Sequence, residues 1–248
     1  NNSKQSYIIY KTEKGFDFYT DFSKKIILNN KNINKFLNKR FQTLKNYKKT
    51  DLFIGFFGYE ILNNLINIKL PKQNNISFPK GIFYKPEKKI NLRDDLIYYP
   101  NKSKEINKNF KININKKYYS KIFNKFIKKI RAGETYQIKI CTKYKNKSEI
   151  NPVNFFWKLM KINSSPESFM IRDKDYSIVS CSPETLIDRK GDTIITKPIA
   201  GTLKKNNFYN KLKALKYFRN NSKETKEHNM IVDLERNDLS RICKPGTV

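Results

Sequence analysis

The chain has 248 residues, 38% hydrophobic and 14% aromatic, which excludes intrinsic disorder and leaves enough material for a sizeable core in one large domain or two small ones. No apolar run approaches the roughly 20 residues of a membrane-spanning helix, and the first residues hold no signal-peptide core, so the composition reads as cytoplasmic with no membrane contact. A net charge of +30 opens a nucleic-acid-binding alternative, but the lysines are scattered in pairs among abundant Asn and Ile, the pattern of A/T-biased codon usage and not of one basic face.

Tyr7 to Tyr10 and Lys25 to Leu28 read as strands, and Ile33 to Leu44 as a helix. Leu52 to Tyr59 is an apolar run containing Gly55 and Gly58, the mark of a strand approached closely by another backbone or interrupted by a bulge. Glu60 to Ile68 has the pattern of a helix stopped before Pro71. Pro71, Pro79 and Pro86 then punctuate a looser connection around a strand at Gly81 to Tyr84. Residues 101–116 are polar and low in complexity, a surface connection. Tyr119, Ile122, Phe123, Phe126, Ile127 and Ile130 recur at helical steps, with Gly133 placed to end that helix.

Tyr136 to Tyr144 is expected as a strand. Asn151 caps a helix that starts at Pro152, and strands follow at Ser168–Arg172, Tyr176–Cys181 and Thr193–Lys197. A helix spans about Tyr209 to Arg219, and a last one carries Glu224 and Glu227. Strands meandering antiparallel between helices predict an α+β fold, with antiparallel sheets and helices packed outside them.

The chemistry concentrates near the end. Glu224 and Glu227 are three apart, and Met230, Ile231 and Leu234 follow Glu227 at offsets of three, four and seven, so both acids are expected on an inward stripe. A carboxylate there needs a cation or donors, either a lysine and backbone amides or a hard metal ion such as Mg²⁺. Pro198-Ile199-Ala200-Gly201-Thr202 follows a strand and reads either as a turn or as backbone amides presented to an anion. Glu184, after Ser182-Pro183, is a surface residue or a general acid, and Gln137 a cross-strand partner or a ligand contact. Cys141, Cys181 and Cys243 are far apart and form no CxxC pair or disulfide framework, which fits a reduced cytoplasm; one histidine, His228, leaves little for zinc sites or hydrolase triads.

Taken in order, GFFGYE (55–60), IRAGETYQIKICTKY (130–144), SPETLI (182–187), TKPIAGTLKK (196–205) and KETKEHNMIVDLERNDLSRICKPGTV (223–248) resemble the chorismate-utilising enzymes, which include the component I chains of anthranilate synthase and aminodeoxychorismate synthase. The resemblance implies an anthranilate synthase-like, chorismate-binding fold present in part. It implies one incomplete domain over 1–248, with an N-terminal region at 1–115 and the start of the catalytic core at 116–248.

The resemblance also implies roles. Glu227 is a Mg²⁺ ligand and Glu224 its companion; Gly201 and Thr202, beside Ala200, contact a substrate carboxylate; Glu184 is the acid that helps the C4 hydroxyl leave. Gln137 stands where water-adding members carry a lysine, which implies ammonia as nucleophile, supplied by a glutamine amidotransferase subunit. PIAGT is the anthranilate form, where many aminodeoxychorismate synthases carry lysine in the place of Ala200. GTLKK and YQIKICTKY are nearer the aminodeoxychorismate forms GTLPR and YQVNLAQRF. Together they place the chain first with aminodeoxychorismate synthase and folate synthesis, with anthranilate synthase and tryptophan synthesis as the alternative. The family carries a second set of metal and substrate ligands beyond this stretch, so the chain alone is expected to be inactive.

Overall fold

A computed structural model describes residues 5–38, 48–66, 79–93, 109–204 and 210–248. The rest of the helices expected to reach Leu44 and Ile68, the start of the one expected at Tyr209, and Pro71, residues 101–108 and Lys205 lie outside the described residues. The chain divides into two compact units, Asn1–Tyr99 with Phe156–Val248, and Pro100–Phe155.

The larger unit is built on a six-stranded antiparallel sheet. Its strands are β1 (Tyr7–Thr12), β2 (Gly15–Ile27), β3 (Ile54–Phe57), β4 (Gly81–Leu92), β7 (Glu167–Arg172) and β8 (Ser177–Ser182), in the order β3-β4-β2-β1-β7-β8. The β1–β2 hairpin turns over Glu13-Lys14, with Thr12 opposite Gly15. Gly15 has φ +129, and a side chain there would strike the Leu92 carbonyl, so glycine is needed on both counts.

β2 and β4 run much longer than the strands expected at Lys25 to Leu28 and Gly81 to Tyr84. Pro86, expected in a loose connection, lies inside β4 opposite Phe22. It is tolerated because the β2–β4 register shifts between Phe22 and Lys24, beside Asp21 at φ +54, and a bulge relieves the ladder bond that proline cannot donate.

One face of the sheet carries Ile8, Tyr19, Ile82, Tyr84 and Ile171 as a buried cluster. On the opposite face, Ile9, Phe16 and Met170 are buried, and helix α4 (Pro152–Ile162) supplies buried Phe156, Trp157 and Met160. Phe16 meets both Phe156 and Trp157 edge-on. A smaller cluster of Leu28, Ile33 and Ile61 forms where the short helix α1 (Ile33–Leu37) meets the one-turn segment Tyr59–Ile61, which leads into α2 (Leu62–Leu65).

Two aspartates are buried in this unit and each is met by at least three donors. Asp173, 3% exposed, accepts bonds from Ser6 Oγ at 3.0 Å, Lys25 Nζ at 2.5 Å, the Lys174 amide at 2.7 Å, and the Tyr84 and Tyr176 hydroxyls. Burial alone would raise its pKa. The bonds from Lys25, Tyr84, Lys174 and Ser6 outweigh burial and hold the carboxyl far below the usual range. Burial raises both tyrosines, Tyr176 to about 12, so their hydroxyls stay protonated and donate. Asp17 is met by Lys89 at 2.6 Å, Asn91 at 2.6 Å and Tyr19 at 3.1 Å. Part of the large lysine count is thus spent neutralising buried acids.

The smaller unit carries helix α3 (Lys116–Arg131), capped by Asn115 and followed by Gly133 at φ +75, and a two-residue ladder of β5 (Lys111–Ile112) with β6 (Tyr144–Lys145). The strand expected at Tyr136 to Tyr144 does not form. Among the described residues no strand forms a ladder with residues 136–143, and a backbone without a ladder stays irregular. Asn151 caps α4 as expected, accepting from Val153 and Asn154 at 3.1 Å each. Among the described residues no helix is long and apolar enough to cross a membrane.

Candidate functional site

β8 ends at Ser182 and delivers the Ser182-Pro183-Glu184 turn. A short hairpin, β9 (Asp188–Lys190) with β10 (Thr193–Ile195), turns at Gly191 (φ +60) and sends the chain back past that turn. The Lys197 amide then donates to the Thr185 carbonyl at 3.4 Å, and the Ile199 amide donates to Glu184 Oε1 at 3.0 Å. The base of this arm is tied to the sheet through Glu167, which accepts from Tyr10 at 2.6 Å and Thr185 at 2.5 Å. The hairpin therefore fastens the SPE and PIAGT motifs together by a carboxylate–amide bond, next to Ala200 and Gly201.

Helices α5 (Lys211–Asn220) and α6 (Ser222–Ser240) meet at Asn221, whose side chain accepts from the Glu224 amide at 3.2 Å and starts α6. Glu224 is thereby held in the first turn, where a negative charge suits the helix dipole. Thr225 Oγ1 bonds the Phe218 carbonyl at 3.0 Å and closes the corner. The Glu224 carboxylate lies against Gly201 so closely that a Cβ on Gly201 would collide with it, and the same Cβ would come within 3.3 Å of the Phe218 ring. Between these pieces is a cavity of about 500 Å³, lined among others by Ala200, Gly201, Phe218, Arg219, Glu224 and His228.

Glu184, Ala200, Gly201 and Glu224 are thus gathered, and others are not. Thr202 is exposed and does not line the cavity. Gln137 is exposed in the Pro100–Phe155 unit, where the Thr135 hydroxyl donates to its carbonyl at 3.2 Å. Glu224 is half-buried, whereas Glu227 is exposed and α6 has no buried residue, which corrects the inward stripe expected for both acids. The spacing holds, since Met230, Ile231 and Leu234 are among the half-covered residues of α6, but none of its residues is buried. Thr225 and His228 escaped notice, though an offset of four from Glu224 could have placed His228 on its face. Nothing in the sequence pattern marked Phe218 or Arg219.

Among the described residues no three His, Cys, Asp or Glu side chains gather to hold a metal ion. Two carboxylates a turn apart, one half-buried and one open, are an oxygen-only donor set that fits a hard cation such as Mg²⁺, which keeps waters and takes one or two carboxylates plus a substrate anion. The arrangement can hold an anionic ring against backbone and apolar walls, with carboxylates nearby for a cation and for proton transfer.

A family model described as chorismate binding enzyme matches residues 2–248. The chain is 31% identical over 222 residues to an "Anthranilate synthase component I-like protein" of Synechocystis sp., covering 79% of this chain and 46% of that one. It is 33% identical over 131 residues to "Aminodeoxychorismate synthase component 1" of Bacillus subtilis, covering 52% of this chain and 28% of the relative. The solved structure of anthranilate synthase component I from Streptococcus pneumoniae TIGR4 shares the fold, with a TM-score of 0.64 at 22% identity, over 96% of this chain and 60% of that one. The chain spans half the length or less of these curated relatives.

Proposed function

The chain belongs to the chorismate-binding enzyme family, and we propose that it serves the amination of chorismate by ammonia, as an aminodeoxychorismate synthase component I-like chain. The observation that carries the reading is the fastening of Glu184 to the Ile199 amide beside a cavity floored by Gly201 and Glu224. The cavity receives the ring of chorismate. The backbone at Gly201 binds a ring carboxylate, with Thr202 next to it just outside the cavity, and Glu184 protonates the departing C4 hydroxyl as ammonia adds to the ring. Glu227 and Glu224 would hold Mg²⁺, which, when bound, neutralises the ring carboxylate. By the resemblance of its motif, Gln137 stands where water-adding members carry a lysine, which supports ammonia, delivered by a glutamine amidotransferase subunit, as the nucleophile. The three cysteines are free, in keeping with a cytoplasmic setting.

One observation favours the anthranilate product. Ala200 lines the cavity, so the chain offers no lysine nucleophile there, and direct addition of ammonia at C2 is the route it leaves open. The test combines this chain with the remainder of the fold from a relative, and supplies chorismate, Mg²⁺ and ammonium. The expected result is an aminated product, its identity read by mass and fluorescence, lost when Glu227 is replaced by Gln. Full turnover in Glu227→Gln overturns the metal role, and failure of chorismate to bind overturns the reading.

A further inference from the structure

Glu167 stands between the sheet and the arm that carries Glu184, and no step of the amination uses it. It opens β7 directly opposite Ser182, the last residue of β8. Both of its carboxylate oxygens are engaged by hydroxyls: Tyr10 of β1 donates to Oε2 at 2.6 Å, and Thr185 donates to Oε1 at 2.5 Å. Burial, and then the bond to Glu167, raises the Tyr10 pKa, so this hydroxyl stays protonated and donates. Thr185 is held a second time, its carbonyl accepting from the Lys197 amide at 3.4 Å. Before Glu184, the Ser182 hydroxyl accepts from the Glu184 amide and donates to the Glu184 carbonyl, at 3.3 Å each. The Glu184 backbone is thus pinned on both sides, while its exposed side chain accepts from the Ile199 amide through Oε1.

We propose that Glu167 is a positioning residue for Glu184, acting through Thr185 to hold the Glu184 carboxyl with Oε1 on the Ile199 amide and Oε2 free to carry the proton. This rests on the amination reading, in which Glu184 protonates the departing C4 hydroxyl. An oxygen that accepts an amide hydrogen bond is the poorer place for a proton, because the bond favours negative charge on it. The fixed amide therefore selects Oε2 as the donor. As ammonia adds to the ring and the C4–O bond breaks, Oε2 gives its proton to the departing oxygen, water leaves, and the added nitrogen sheds one proton in turn. An exposed glutamate on a loose turn would be out of this register in most of its rotamers, and orientation of a reacting group is a large part of its rate. Glu167 can impose the register because the ladder to Ser182 and the bond from Tyr10 fix it in the sheet.

The test removes the Thr185 hydroxyl at nearly constant shape, in Thr185→Val, and restores it in Thr185→Ser. In the chain itself, hydrogen exchange at the Ile199 amide is expected to quicken about fivefold or more in Thr185→Val and to return toward wild type in Thr185→Ser, while the amides of β1 and β7 keep their protection. With the remainder of the fold from a relative, chorismate, Mg²⁺ and ammonium, kcat is expected to fall about tenfold in Thr185→Val, the scale of a bond to a charged group, with KM within about twofold. Glu167→Gln, which offers one oxygen in place of two, is expected to show the same split. A lower melting midpoint with protection lost across β1 and β7 marks a merely structural role and overturns the proposal. Unchanged exchange at Ile199, or unchanged kcat, in Thr185→Val beside an active wild type also overturns it, and the amination reading then stands. A wild-type combination that makes no aminated product overturns the reading and the proposal together, whatever the exchange rates.

Discussion

The sheet and the α5–α6 corner belong to one compact unit and treat their carboxylates in opposite ways. Asp173 and Asp17 are buried and surrounded by donors, and no buried side-chain polar atom among the described residues lacks a partner. Glu224 and Glu227 ride a helix with no buried residue, half-covered and open respectively. A carboxylate engaged by several donors has little acceptor capacity left for a ligand, while one buried without them would cost several kcal/mol. A binding carboxylate therefore belongs where water can satisfy it until the ligand arrives. The sheet supplies rigidity, and the corner leaves its carboxylates partly or fully open to solvent.

The largest effect should come from emptying the buried site. Asp173→Ala strands Lys25, Tyr84, Tyr176 and Ser6 without their shared acceptor and should cost about 3–5 kcal/mol, read from the urea midpoint. Its acid dependence follows from the depressed pKa. The stabilisation is complete above the ordinary value of 3.8 and drains away as pH falls below it, toward the lower folded-state value, because the unfolded chain takes up the proton first. Asp173→Asn should flatten that acid limb. A variant as stable as wild type, with the limb unchanged, would put the rigidity of the unit elsewhere.

The two close-approach glycines sharpen the contrast at the next level. A Cβ at Gly55 would strike the Ile82 carbonyl across the β3–β4 ladder, where backbone must shift, so Gly55→Ala should lose about 1–3 kcal/mol. A Cβ at Gly201 would strike the end of the Glu224 side chain, which can swing away, and would press more lightly on the Phe218 ring, with no backbone in its path. Gly201→Ala should cost less than about 1 kcal/mol in stability and yet weaken chorismate binding, because the side chain it displaces is the one the site needs. Equal stability losses would erase the difference between a packed ladder and an open corner.

The sheet was legible in fragments. Alternation marked β1, β7 and β8, and the glycines of Leu52 to Tyr59 marked close approach at β3. The lengths of β2 and β4 were not readable, because Pro86 looks like a terminator until the bulge in the neighbouring strand is known to absorb it. The segment at Tyr136 misled for the opposite reason, since strand propensity is realised only where a partner offers a ladder. Chain order and spacing singled out Glu184, Ala200, Gly201 and Glu224, which the structure brings near one another, all from local motifs. Phe218 and Arg219 were not legible, since they reach the cavity from the end of α5, a tertiary placement that no local motif marks. Helical periodicity also overstated the burial of Glu227, because it reports which residues share a face and not whether anything covers that face.

The smallest effect tests that last distinction. Were Glu227 buried as its spacing implies, Glu227→Gln would remove an ill-solvated charge and raise the thermal midpoint of the metal-free chain. On an open helix face the carboxylate is already hydrated, so the midpoint should not move at all without Mg²⁺. With Mg²⁺ and chorismate present, wild type alone should gain stability, since only a state that binds the ligand is shifted by it. The pair of melting curves thus reads coverage and binding separately. A rise in the metal-free midpoint would show a face already sealed, and identical ligand-induced shifts in both proteins would remove Glu227 from the site.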